Sequence, residues 1–364
     1  MTEVGRKIEK MRELLRRESA AAVRLRGTDW FAWATGGGDS AVFLGTETGV
    51  AELFITAERA LVLARRMEQE RLEIEQMPRE FEAVSFPWIQ EEAFDDFIIA
   101  AVGGLERVVS DWPERGERPL SEEWLQLKRH LSQREMARYH ELGHDAAQAV
   151  TEALILAEPE QTENEVAGLA AKALWAKGIQ PLMTLVGGES RIARYRDPVP
   201  TAARIGERAM LSVCGRRQGL FASLTRFVYF RPPTEDEHRR LHDLAAIEAE
   251  AFQATEDLRP LPDIYRRLKA KYLALGYGEE IEKHHQGGAT GYLPREELAR
   301  PQGALGFRVE ENTAFAWNPS FAGVKLEDTV VLGVDRRISI LTHDSAWPTF
   351  ECEGRPRPSF LVRA

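Results

Sequence analysis

Two adjacent histidines, His284 and His285, precede Gln286 and the glycine pair Gly287-Gly288. Two imidazoles on a glycine-rich turn offer a general base that titrates near neutrality. Glu327 and Asp328 supply neighbouring carboxylates, with Lys325 two residues earlier. Arginines gather around the same stretches: Arg191, Arg194, Arg196, Arg216, Arg217, Arg226 and Arg295. The planar guanidinium fork suits carboxylates and phosphates, so an anionic small ligand is one expectation. The other is an internal network with Glu189, Asp197, Glu296, Glu297, Glu327 and Asp328. Ser212 and Ser223 lie outside any Gly-x-Ser-x-Gly elbow and read as structural hydroxyls. Cys214 falls on the same strand face as Ser212, which leaves a thiol nucleophile as an alternative. For the histidine pair the alternative is a purely structural role.

The elements that must position these groups are legible from pattern. Val4, Ile8, Met11, Leu14 and Leu15 fall on one face of a helix over 5–17. Strands are expected over 21–25, 51–56, 60–64 and 107–110, with Thr56 to Arg59 turning between the middle two and a helix centred on 91–102. Trp30, Phe31 and Trp33 form a short aromatic element that ends at Gly36-Gly37-Gly38, a turn and not a phosphate loop. Pro113 to Pro119 leads into a domain connection. The pairs Ser132/Glu135, Thr162/Glu165 and Thr234/Glu237 have capping-box spacing and start helices over 132–156, 162–177 and 234–257. A further helix runs over 264–275. Strands follow the pattern at 209–213, 224–230, 313–317, 329–333 and 338–342. A first domain over 1–125 and a second over 126–364 are the reading, the second a sheet covered by long helices.

Composition narrows the classes. The 364 residues carry a net charge of −10, which argues against general nucleic-acid or anionic-membrane binding. No apolar stretch has transmembrane length, and the first residues lack the pattern of a signal peptide. Two cysteines, Cys214 and Cys352, make no disulfide framework or zinc motif. A cytoplasmic protein is the expectation.

Four segments, taken in order, carry a family resemblance: Gly187 to Tyr195, Ser212 to Arg226, His284 to Glu296, and Phe315 to Thr329. They resemble the active-site segments of the aminopeptidase P, prolidase and creatinase superfamily. The first domain is similar to the N-terminal domain of that superfamily, with Ala34-Thr35-Gly36-Gly37 at a turn the family shares. The resemblance implies an α/β N-terminal creatinase-like domain followed by an α+β pita-bread domain, and a homodimer. It also implies two divalent ions on two aspartates, one histidine and two glutamates. Those positions fall on Ser212, Ser223, Gly288, Asn318 and Glu327, so only the last keeps its carboxylate. The family's substrate-positioning histidines fall on Arg194, beside Tyr195, on His284, which is kept, and on Arg295.

One carboxylate with neutral serine and asparagine side chains is a poor donor set for a dinuclear centre. The expectation is therefore a protein without a metal cofactor. It would be a metal-independent hydrolase or lyase acting on a small anionic amide or amidine. His284 or His285 would serve as base and Glu327 as partner, and Arg191, Arg194, Tyr195, Arg226, Arg295, Asn318 and Lys325 would bind the ligand. Creatinase, within the resembled family, hydrolyses a C–N bond without metal, but its histidine position is Arg194 here. Two alternatives stand beside this: a non-catalytic binder of an anionic ligand or short peptide, and a conventional Xaa-Pro peptidase using Mn, Co or Zn.

Overall fold

The structure is a computed structural model that describes residues 1–303 and 306–363. The chain separates into two compact units, Met1–Arg129 and His130–Ala364.

The first unit opens with α1 (Glu3–Arg17). Its N-cap Thr2 accepts from the Gly5 amide, and Val4, Ile8, Met11, Leu14 and Leu15 are buried. Each such side chain contributes about 1.5–3 kcal/mol by leaving water. A six-stranded sheet follows, built from β1 (Ala22–Gly27), β2 (Thr48–Thr56), β3 (Ala60–Arg65), β4 (Glu82–Phe86), β5 (Val108–Ser110) and β6 (Arg118–Pro119), in the order β4-β3-β2-β1-β5-β6. The turn between β2 and β3 closes where the Thr56 amide donates to the Arg59 carbonyl. The aromatic element is a helix, α2 (Thr28–Thr35), which stops at the left-handed Gly36. α3 (Arg66–Arg71), α4 (Ala93–Val102) and α5 (Glu122–Arg129) complete the unit. The boundary read from composition at 125/126 falls inside α5, because that helix continues to Arg129.

The second unit begins with α6 (Gln133–Ile155) and α7 (Glu163–Ala176). Both start on reciprocal capping boxes, Ser132 with Glu135 and Thr162 with Glu165, which satisfy amides the helix leaves free. Then come β7 (Gln180–Gly188), α8 (Glu189–Ile192), β8 (Arg208–Arg217) and β9 (Leu220–Tyr229). β8 and β9 form a hairpin through Gln218-Gly219, both at positive φ, the backbone of a tight two-residue turn that matches strand twist. This turn fixes the register, with Ser212 opposite Thr225 and Cys214 opposite Ser223.

Two further helices, α9 (Glu235–Glu256, capped by Thr234 and Glu237) and α10 (Leu261–Ala274), cover the sheets. The remaining strands are β10 (Gly287–Thr290), β11 (Glu297–Leu298), β12 (Thr313–Trp317), β13 (Ser320–Phe321), β14 (Val324–Lys325), β15 (Asp328–Leu332), β16 (Ile338–Ile340), β17 (Thr349–Cys352), β18 (Arg355–Pro358) and β19 (Leu361–Val362). One sheet has the order β19-β9-β8-β7 and another β11-β10-β12-β15-β16. The core between helices and sheets holds Leu244, Ile247, Phe252, Ile264, Leu268, Phe315, Trp317 and Val330. No helix of the described residues is long and apolar enough to cross a membrane.

Candidate functional site

The two larger sheets of the second unit are stitched where the Thr225 amide donates to the Glu327 carbonyl. That bond brings the Glu327 side chain over the face of β8 and β9 that carries Ser212 and Thr225. Glu327 Oε2 lies 3.2 Å from Ser212 Oγ and 3.0 Å from Thr225 Oγ1. Its Oε1 accepts from Arg295 Nη2 at 2.9 Å, and Lys325 Nζ stands 3.6 Å from Oε2. Glu327 is 1% exposed and Lys325 3%. Burial by itself would raise the Glu327 carboxyl; Lys325, Arg295 and the Thr225 hydroxyl outweigh it and hold the group down at about 2.

The chain of charges continues outward. Lys325 Nζ reaches Asp197 Oδ1 at 3.2 Å, and Asp197 Oδ2 lies 3.5 Å from His284 Nε2. The Asp197 side chain is half exposed and brings the cluster to solvent. The hydrogen bond with His284, then the Lys325 charge, holds Asp197 below the ordinary carboxylate range. The His284 and His285 rings stack, centroids 4.5 Å apart. His285 is exposed as a residue, with its ring packed on that of His284. Desolvation by the surrounding protein first, then the charges of His284 and Arg295, push its imidazole down.

The opposite face carries a second cluster. Asp328 follows Glu327 and turns the other way, accepting from Arg226 Nη2 at 2.8 Å, Thr342 Oγ1 at 2.6 Å and Arg357 Nη2 at 2.6 Å. Arg357 also pairs with Glu248 of α9 at 2.5 Å. Burial raises the Glu248 carboxyl to about 7, against the pull of Arg357.

These contacts revise several assignments made from sequence. The partner of His284 is Asp197, not Glu327, because Glu327 is already surrounded by cations and hydroxyls. Arg226 is a structural residue of the Asp328 face, since successive residues of a strand point to opposite sides. Arg191 is occupied by Glu163 and the Val199 carbonyl. Arg194 and Tyr195 are exposed, on the segment that leads to Asp197. Ser212 and Ser223 are buried on one face with Cys214, whose thiol burial pushes up, away from nucleophilic use. Asn318 is buried beside Glu327, as the β12–β15 register continues past Trp317↔Asp328. Gly288 packs against β11, opposite Leu298. A Cβ there would stand 2.1 Å from the Glu297 carbonyl oxygen, so no histidine fits without moving backbone. Thr225 and Asp197 were missed as site residues. The period of two that links Thr225 to Ser223 was the available signal for the first. Asp197 was named only as one carboxylate of an internal network, and its meeting with Lys325 and His284 comes from the fold.

Among the described residues, no three His, Cys, Asp or Glu side chains converge as a metal ion would require. With Arg295 and Lys325 on its one carboxylate, the donor set does not fit a dinuclear divalent centre.

The metallopeptidase family M24 model matches residues 134–333, more than half of the chain. Solved structures that resemble it include the prolidase of Pyrococcus horikoshii OT3, with a TM-score of 0.74 and 18% identity, covering 93% of this chain and 98% of that one. The Xaa-Pro dipeptidase of Bacillus anthracis has a TM-score of 0.72 and 14% identity, with 99% and 100% covered. The N-terminal domain of the FACT complex subunit SPT16 from chickpea (Cicer arietinum) has a TM-score of 0.70 and 12% identity, with 93% and 95% covered. No curated protein sequence matches the chain. An α/β N-terminal domain precedes the pita-bread fold of prolidases, and the chain belongs to metallopeptidase family M24.

Proposed function

We propose that this chain is a metal-independent member of family M24 whose Glu327 centre binds a small polar molecule or short peptide without turning it over. The observation that carries the reading is the pairing of Glu327 with Arg295 and Lys325. Two protein cations stand at the one carboxylate left among the five ligand positions that the resemblance implies. With its carboxyl held at about 2, Glu327 has no proton to give and little basicity at neutral pH. Cys214 and Ser212 are buried and bonded, which removes the nucleophiles. A homodimer, carried over from the family, belongs to the same proposal.

The test is metal content after incubation with Mn, Co and Zn and desalting. Essentially no bound metal, with no thermal shift on metal addition, is the expected result. A stoichiometry of about two ions per chain with Xaa-Pro peptide cleavage would overturn the reading.

The His284–Asp197 pair favours a second reading, hydrolysis or elimination with His284 as proton carrier. Turnover of an amide or amidine that His284→Ala abolishes, with unfolding unchanged, would establish it over the first.

A further inference from the structure

Asn318 is 1% exposed, yet its Oδ1 meets no hydrogen-bond donor among the described residues. Buried carboxamides are normally paired, because an unmade bond leaves the desolvation cost uncompensated. The β12–β15 register places Asn318 across from Glu327. Its own amide is engaged, donating to the Gln286 carbonyl at 3.1 Å, so the strand position is fixed while Oδ1 is left without a donor.

Arg295 bears on the same carboxylate. Its Nη2 donates to Glu327 and its Nη1 to the Pro294 carbonyl, while its buried Nε is unpartnered. A carboxylate ligand seeks the two-pronged guanidinium fork. Here each terminal nitrogen already has an acceptor, and Nε is the guanidinium nitrogen without one.

Resting on the ligand-binding reading above, we propose that Asn318 and Arg295 recognise the edge of a neutral amide. The ligand N–H donates to Asn318 Oδ1 and the ligand carbonyl accepts from Arg295 Nε. An amide carries one donor and one acceptor, as these two groups require. A flipped Asn318 carboxamide would donate beside Arg295 and suit a carboxylate instead, so the amide preference depends on Oδ1 facing the ligand. A carboxylate offers acceptors alone and brings a second negative charge beside Glu327. Asn318 is therefore a specificity residue, and the expected ligand is an amide and not the corresponding acid.

The experiment compares succinamate with succinate, matched in length and differing by one amide, on the purified full chain. Ligand-observed NMR and thermal shift are read for the wild type, Asn318→Leu and Asn318→Ser, with circular dichroism confirming the fold. Succinamate is expected to bind at least about 10-fold more tightly than succinate. Both variants are expected to lose that preference. Asn318→Leu is expected to raise the Tm of the free protein by about 2–4 °C, since an unpaired polar group leaves the interior. Equal binding, or a preference for succinate, overturns the inference. So does a lower Tm in Asn318→Leu, which would mean that ordered water satisfies the carboxamide in the free protein. Metal content separates the two readings. Bound metal removes the metal-free centre itself, whereas a metal-free protein that prefers succinate loses only the amide assignment.

Discussion

Glu327 and Asp328 are neighbours in sequence, carry the same charge, and each sits among two cations and hydroxyl groups, yet they belong to different kinds of site. The Asp328 cluster is sealed: Arg226, Arg357 and Thr342 saturate the carboxylate, and Glu248 closes the far side of Arg357. The Glu327 cluster is open along one edge. It runs through Lys325 to the half-exposed Asp197 and leaves polar atoms of Asn318, Arg295 and His284 without partners. Charge pairing by itself therefore does not mark a functional site. What separates the two is the route to solvent: Arg226, Asp328, Arg357 and Glu248 are all buried, whereas the Glu327 cluster reaches the half-exposed Asp197, and both clusters leave polar atoms without hydrogen-bond partners.

The largest expected effect breaks the sealed side. Arg357→Met removes the cation shared by Asp328 and Glu248 and leaves buried carboxylates uncompensated. It should cost about 3–5 kcal/mol in denaturant unfolding. A loss within 1 kcal/mol would mean that solvent reaches the cluster and that the contrast is false.

On the open side, Glu327→Gln should cost less, about 2–3 kcal/mol by the same measurement, because Arg295 and Asp197 can turn toward water. A loss equal to that of Arg357→Met would make the Glu327 cluster structural too.

The smallest effect sharpens the contrast through pH. Glu327 is held at about 2, below its ordinary 4.5, so the stability it lends is complete above about 4.5 and is lost as pH falls toward 2. Glu248 is raised to about 7, so its effect has the opposite sign. Stability is complete below about 4.5 and declines as pH rises through 7. Unfolding followed from acid to neutral pH should lose its acid-side slope in Glu327→Gln and its neutral-side slope in Glu248→Gln. If Glu248→Gln leaves the neutral slope in place, Glu248 is ionised in the native protein and the sealed side is a full set of ion pairs.

The legibility of the molecule follows the range of its interactions. All three capping boxes were readable because Ser132, Thr162 and Thr234 each bond to a residue three positions on. β7 was not read: Pro181, Gly187 and Gly188 interrupt any alternation, and its pairing with β8 makes it a strand. Arg226 was grouped with the site through its neighbour Thr225, although a period of two sends adjacent side chains to opposite faces. β8 and β9 were read as separate strands over 209–213 and 224–230, and the two-residue turn at Gln218-Gly219 that joins and lengthens them went unread.

The sequence by itself determined the helix starts and the family. Those follow from local bonding and from residue identity in ordered segments. The tertiary structure alone decided that Glu327 pairs with Arg295 and Lys325, that Asp197 and not Glu327 holds His284, and that Asn318 is left open. Asp197 and Lys325 are 128 residues apart and meet only once two sheets and their loops are packed. An ion pair across such a distance depends on the placement of everything between its partners, and no local pattern encodes it.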